Sequence, residues 1–440
     1  MVTRPSVLPR GVLAGYALGS LVTGAFGTVP GLLLLPYLTD TLGVAAGVSG
    51  LLVLLPKAWD VLVNPLAGRI SDRSGSRRPF LLVAGLLLGV LFAAIFGAPF
   101  TGEAASGAYV AIAFLLAATA YAFFQVPYVA MPAELTDGYA ERTRLMTWRV
   151  AVLAVAILIS GAIAPLVVDA TGGGRTGHRW SGLFVGLLIA VGTVATFLGT
   201  RKASSRTASE AEPSLAAQLC VASANAPFRA LLLCWVVQAA GIGTMLAGVQ
   251  YFADHVIHQK AGGTFLFAAF VGPALLVMPL WSRVGRRHGK LRSLIAGSLL
   301  FAGGALVLLA SPTLPPVAVY LVVAVVGAGY AGQQVFAMAM LPDCIAYDTA
   351  RTGRRQAGVF TGLWTAGETL GLALGPGIYA LVLQLFGYVS SATGEAAAQD
   401  ATARLGVLLG FTVLPALLVG VAVLLLRGYR EVARSEEVGS

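Results

Sequence analysis

Four ionisable side chains stand in stretches otherwise too apolar to hold them. Lys57 and Asp60 interrupt LLVLLPKAWDVLVNPLAG (51–68), and Arg149 and Glu368 interrupt two later apolar runs. At bilayer depth each such group costs about 2.5–3.5 kcal/mol on insertion scales, so it needs a partner or a wet cavity. At about 100° per residue, Lys57, Asp60 and Asn64 fall within roughly 60° of one another and form one polar stripe along a helix. Lys57 and Asp60, three apart, are spaced to pair. Asn64, one turn on, offers a neutral carbonyl oxygen. The chemistry on offer is reversible loading of a carboxylate by H⁺ or Na⁺, with H⁺ favoured; the same stripe also suits a structural ion pair between helices. Glu368 lies in GETLGLALG, one step from a face on which Gly367, Gly371 and Gly375 recur every fourth residue, a spacing that lets a neighbouring backbone approach closely. Gln125, Tyr128, Gln238, Gln333 and Trp364 add neutral hydrogen-bonding and stacking groups in apolar surroundings.

The elements that must position these groups are set by composition. The 440 residues are 57% hydrophobic and 11% charged, with mean hydropathy +0.83; soluble domains carry about 25% charged residues. This is the composition of a polytopic membrane protein. The 54 glycines suit close helix packing in lipid. Cys220, Cys234 and Cys344 give no disulfide framework or metal spacing, and His255 with His258 lacks a third ligand. No nucleophile elbow, HExxH or phosphate-cradling loop is present, so an enzyme is not expected.

Apolar runs of about 20 residues predict twelve helices near 11–38, 45–70, 79–101, 107–132, 145–171, 180–200, 228–256, 262–284, 291–311, 315–341, 355–388 and 402–427. The net charge of +10 is distributed by topology and not by affinity for nucleic acid. Of the 29 Lys and Arg, Lys57 and Arg149 fall inside helices. Only Arg175, Arg179, Lys260 and Arg404 lie on one side, and the remaining 23 lie on the other. By the positive-inside rule both termini are cytoplasmic.

The longest polar interruption, 201–227, falls near the chain's centre and divides it into a first six-helix bundle (1–200), a connector and a second bundle (228–440). PLAGRISDRSGSRR (65–78) aligns without gaps to PLWSRVGRRHGKLR (279–292), with six identities at equivalent places after the second helix of each half. Parallel six-helix repeats resemble the plan of the major facilitator superfamily, which implies an all-α integral membrane fold of twelve transmembrane helices in two six-helix bundles, with solute held near the midplane. GRISDRSGSRR (68–78) resembles that superfamily's cytoplasmic loop between helices 2 and 3, in which an acidic residue and arginines pin helix ends. The resemblance gives Asp72, Arg73, Arg77 and Arg78 a gating role.

Three stretches resemble a narrower group, the glycoside–pentoside–hexuronide:cation symporters of the melibiose-permease-like type. They are KAWDVLVNP (57–65), YFADHVI (251–257) and LPDCIAYDTARTGRRQAGVFTGLW (341–364). The last resembles the family's loop between helices 10 and 11 and extends the gate to Asp343, Asp348, Arg354 and Arg355. The resemblance implies cation-coupled symport of a small solute by alternating access in the inner membrane, by a monomer with no cofactor beyond H⁺ or Na⁺. Asp60 matches the first of two acids in the family's helix 2, whereas Asn64 occupies the second position. Gln125 stands where melibiose-type members carry a sugar-binding aspartate, Ser20 replaces an acid on helix 1, and Thr369 replaces a lysine on helix 11. Arg149 matches a family arginine. Ser20, Gln125, Tyr128, Arg149, Gln238, Gln333, Trp364, Glu368 and Thr369 are therefore expected to line the solute cavity. With the sugar acids replaced, carriage of an amphipathic or lysolipid-like molecule is the alternative, and a non-transporting sensor a remote one.

Overall fold

The computed structural model describes residues 8–73, 78–136, 139–201, 223–259, 261–353, 357–392 and 397–429, and among them every regular element is helical. The chain divides into two compact units, one of Met1–Glu210 with Ser390–Ala397, the other of Ala211–Val389 with Ala398–Ser440. The first unit holds α1 (Arg10–Leu34), α2 (Ala46–Arg73), α3 (Arg78–Ile95), α4 (Glu103–Leu135), α5 (Tyr139–Ala170) and α6 (Gly174–Thr200). The second holds α7 (Ala226–Phe252), α8 (Gly262–His288), α9 (Lys290–Val307), α10 (Pro316–Thr352), α11 (Ala357–Leu385) and α12 (Ala401–Tyr429). Among the described residues eleven helices are long and apolar enough to cross a membrane. The exception, α2, has a shorter apolar run, Ala46–Lys57, because its charged stripe begins there.

Lipid cannot hydrogen-bond a backbone, so an apolar chain of this kind resolves into helices whose amides are satisfied internally. Leu276, Leu385 and Val90 are among the exposed large hydrophobic side chains, as a bilayer-facing surface requires. Inside each unit the helices meet through glycine. Gly15 of α1 lies so close to Gly199 of α6 that a methyl group on either would strike the other's backbone. Gly371 and Gly375 meet α7 in the same way, at Val236 and Gly243, so the four-residue glycine spacing of α11 marks its contact with α7. Such seams supply dense packing where the hydrophobic effect between helices is absent.

Two helices end in wide turns. After Val29, the end of α1 and the segment beyond it form π-turns at Pro30–Leu34 and Tyr37–Thr41. The end of α7 does the same at Ala253–Ile257.

Helices α5 and α6 begin earlier than expected, at Tyr139 and Gly174, and α3 ends earlier, at Ile95; the largest difference is at the end of α10. The loop read at 341–364 begins late, because α10 runs through Pro342 to Thr352 and stops at Gly353, whose left-handed conformation (φ 69°) lets its N–H return to the Thr349 carbonyl. An apolar-run count finds the part of a helix inside lipid; the polar last turns of α10 continue beyond it. Of the expected connector, residues 202–222 lie outside the described residues.

Candidate functional site

In the first unit the polar residues of α1, α2, α4 and α5 gather around two aromatic stacks. Gly19 interrupts α1, and a side chain there would collide with Tyr128, so the α4 tyrosine reaches the break. The Tyr128 hydroxyl donates to the Tyr16 carbonyl (2.9 Å). The single Ser20 hydroxyl proton is then shared between the Tyr128 oxygen (3.1 Å) and the Arg149 carbonyl (3.0 Å). The Tyr16 and Tyr128 rings stack at 4.8 Å, and the Arg149 guanidinium lies over the Tyr128 ring at 5.2 Å, within range of a cation–π attraction. Two donors in this cluster are buried with no hydrogen-bond partner, Nε of Arg149 and the Tyr16 hydroxyl. The arrangement is a cradle of donors suited to hydroxyl or anionic oxygens.

Asp60 lies one helix away and is only 4% exposed. Its Oδ1 is buried without a partner. The expected pairing with Lys57 takes a different form. The Lys57 ammonium sits over the Phe26 ring at 5.4 Å, within electrostatic reach of Asp60 but without closing an ion pair on it among those described. The reason is packing: Phe26 of α1 stacks on Tyr121 of α4 at 4.4 Å and presents its face where the lysine would otherwise extend. On the same flank Asn64 is half-buried, while Val63 and Ala67 pack against Ala122 of α4. Thus α2 is held apolar against α4 and keeps an unsatisfied carboxylate oxygen inside the unit. A buried charge in that condition calls for a neutralising ion or proton. Gln125 is half-buried on α4.

The second unit encloses neutral groups. Gln238 of α7 donates through Nε2 to Ser298 of α9 (2.9 Å), and its Oε1 has no partner. Gln333 of α10 is fully buried with both amide atoms unpartnered. Trp364 stacks on Trp235 at 4.8 Å inside the core formed by Phe228, Phe336 and Phe360, and neither indole N–H has a partner. Glu368 and Thr369 follow on α11, both half-buried.

A family comparison decides how these clusters are to be read. Residues 15–430 match the family of MFS/sugar transport proteins. The chain belongs to that family. It is 25% identical over 424 residues to the uncharacterized symporter YnaJ of Bacillus subtilis, a match covering 93% of this chain and 89% of the other. It is 22% identical over 411 residues to the isoprimeverose transporter of Lactiplantibacillus pentosus, covering 91% and 85%. A solved structure from a study of substrate recognition in proton-dependent oligopeptide transporters superposes with TM-score 0.70 at 14% identity, covering 96% of this chain and 98% of that one, which shows a shared fold. The chain is a multi-pass membrane transporter of the major facilitator superfamily, in its glycoside–pentoside–hexuronide:cation symporter branch.

Among the expected gate residues of this transporter, the side chains of Asp72 and Arg73, and all of Arg77, Arg354 and Arg355, lie outside what is described. Arg78 donates from the start of α3 to the Arg201 carbonyl after α6 (2.7 Å). Asp343 accepts from Lys290 at 2.6 and 2.7 Å, clamping the start of α9 to the last turns of α10. Asp348 is buried, 3.9 Å from Arg351. Sequence reasoning missed Lys290, Tyr16 and Phe26. Lys290 sits inside the detected repeat, directly after Gly289, and that placement was an available signal. Tyr16 and Phe26 carry none, because an aromatic residue in an apolar helix reads as packing.

Proposed function

We propose that this transporter is a proton-coupled symporter of a small hydroxylated, glycoside-like solute. The observation that carries the reading is Asp60: a buried carboxylate, alone on its stripe, with one oxygen unpartnered. Neutralising it inside the membrane recovers several kcal/mol of solvation lost on burial, so loading and unloading Asp60 is a strong lever on the protein's conformation. A proton suits the site better than Na⁺. The Lys57 charge is within reach and repels a metal cation, whereas a proton becomes part of a neutral carboxylic acid. Asn64 in place of a second acid removes the negative charge that would favour Na⁺. The solute's hydroxyls are assigned to the open donors of Arg149 and Tyr16, which the hydrogen bonds of Tyr128 and Ser20 hold in place. A relative named as an isoprimeverose transporter supports a glycoside-like cargo and gives no support to a lysolipid.

The test is uptake of a panel of glycosides into liposomes containing the purified protein, driven by a proton gradient or by a sodium gradient alone. Accumulation of at least one glycoside with the proton gradient and none with sodium is expected; accumulation driven by sodium alone would overturn the proton assignment.

We further infer, from the 23-to-4 asymmetry of basic residues, that residues 1–200 and 228–440 form the two six-helix bundles and that both termini and the 201–227 connector face the cytoplasm of a bacterial cell. In a variant whose Cys220, Cys234 and Cys344 are serine, Ser205→Cys should resist a membrane-impermeant maleimide added to intact cells, and Thr176→Cys should react. The reverse pattern would invert the topology.

A further inference from the structure

The second copy of the internal repeat has no part in the mechanism above. PLWSRVGRRHGKLR (279–292) aligns with PLAGRISDRSGSRR (65–78), and Arg286 stands where the first copy has Asp72. The first copy carries an acid among its arginines; the second carries none. The deficit reaches well beyond this stretch, since no Asp or Glu occurs between Asp254 and Asp343. Lys290, at the start of α9, is already held by Asp343 at 2.6 Å. Arg283, Arg286 and Arg287, in the last two turns of α8, are exposed. Among the described residues the ion pairs belong to Arg144, Lys290 and Arg351, so these three arginines have no carboxylate there.

Packing fixes the face on which they stand. Trp281 of α8 donates through Nε1 to the Ala328 carbonyl of α10 (2.7 Å), and its ring meets Phe336 of α10 edge-on at 5.8 Å. A methyl group on Gly285, one turn later, would strike the same Phe336 ring. At about 100° per residue, Arg283 and Arg287 lie on the opposite face, roughly 160° away. That face runs back along α8 through Leu280, Leu276 and Phe265, all exposed, Leu276 by 82%. Among the described spanning helices α8 is also the least enclosed. From Phe265 to Arg283 the helix rises about 27 Å at 1.5 Å per residue, close to the roughly 30 Å of a hydrocarbon core. An apolar strip long enough to cross the core thus ends in arginines at headgroup depth. Arg283 and Arg287, at i and i+4, have Cβ atoms about 5–6 Å apart, near enough for both guanidinium groups to hold one phosphate.

We propose that this face of α8 binds an anionic phospholipid, its acyl chain along Leu276 and Leu280 and its phosphate on Arg283 and Arg287, with Arg286 adding to the positive potential. Charge complementarity names the occupant. Basic clusters at the membrane surface attract anionic headgroups, and here no neighbouring acid offsets the attraction. A zwitterionic headgroup brings an amine into the same acid-free patch and is repelled through it. A free anion gains nothing from the apolar strip below. The site is independent of the solute carried and of the coupling ion.

Thermal unfolding of the purified full chain in a neutral detergent tests the site, with phosphatidylglycerol, phosphatidylcholine and inorganic phosphate titrated separately. Phosphatidylglycerol is expected to raise Tm saturably and by more than phosphatidylcholine, and phosphate to leave Tm unchanged. The double variant Arg283→Gln, Arg287→Gln should bind phosphatidylglycerol about 30-fold more weakly. Arg427→Gln, at an exposed arginine of α12, should bind it as the intact chain does. Equal phosphatidylglycerol affinities in the intact chain and the double variant would overturn the proposal, as would a phosphate shift matching that of the lipid. If the double variant does not fold, salt replaces it as the probe. Raising NaCl to about 0.5 M screens exposed charges and should erase the difference between the two lipids in the intact chain; a difference that survives would overturn the proposal.

Discussion

Asp60→Asn is expected to abolish accumulation of solute against its gradient while leaving downhill exchange intact. The substitution keeps the volume of the side chain and removes the group that titrates, so α2 keeps its packing through Val63 and Ala67 on Ala122. What disappears is the neutralisation of a buried charge, a change worth a few kcal/mol. Each 1.4 kcal/mol is tenfold in an equilibrium, so gradient-driven uptake should fall by about 100-fold or more. Exchange of labelled for unlabelled solute does not require net movement of the coupling ion, and its rate should stay within a few-fold of that of the intact protein. Measuring both in the same liposomes checks the prediction. Accumulation unchanged in the variant would leave the stripe on α2 a structural feature.

The largest loss of stability is expected at a residue with no chemistry. Gly375 of α11 faces Gly243 of α7, and a Cβ on Gly375 would fall on the α7 backbone. A backbone cannot turn aside as a side chain does, so Gly375→Val must push the helices apart. Overpacking typically costs about 1–3 kcal/mol and occasionally more; here the separation also breaks neighbouring contacts, and the upper end is expected. Gly362→Ala on the same helix is the control, since nothing lies within 4 Å of its added methyl, and it should be neutral or slightly stabilising through improved helix propensity. Thermal unfolding of the two variants in one detergent checks both. A Gly375→Val protein that melts with the parent would mean that α7 and α11 have slack at that contact.

The fold was legible because lipid enforces a coarse grammar. Long apolar runs had to be helices, and each expected run overlaps an observed helix, although the polar ends, above all that of α10, run beyond it. The charged stripe on α2 was legible for the same reason, since a group costly at bilayer depth advertises itself. What escaped was contact between helices. Nothing in the spacing of Lys57 and Asp60 signals that Phe26, thirty-one residues away in the sequence, takes the lysine's charge onto its ring. The glycine spacing of α11 announced a close approach without naming α7, and the same spacing at Gly11, Gly15 and Gly19 of α1 does not name Gly199 of α6 as its partner. Trp364 read as a cavity residue because tryptophan is polar at one end, yet its stacking on Trp235 places it inside the core of its unit.

The wide turns at the ends of α1 and α7 bear on how this chain can change its length. A π-turn spans one residue more than an α-turn for each hydrogen bond it closes. At Pro30–Leu34, Tyr37–Thr41 and Ala253–Ile257 the chain thus carries slack that ordinary helix lacks. Removing a residue there would tighten the turn to an α-turn and leave the register of the preceding helix untouched. The same deletion in mid-helix would rotate every later side chain by about 100° and turn buried faces to lipid. These turns are where single-residue insertions and deletions should accumulate among descendants of this sequence.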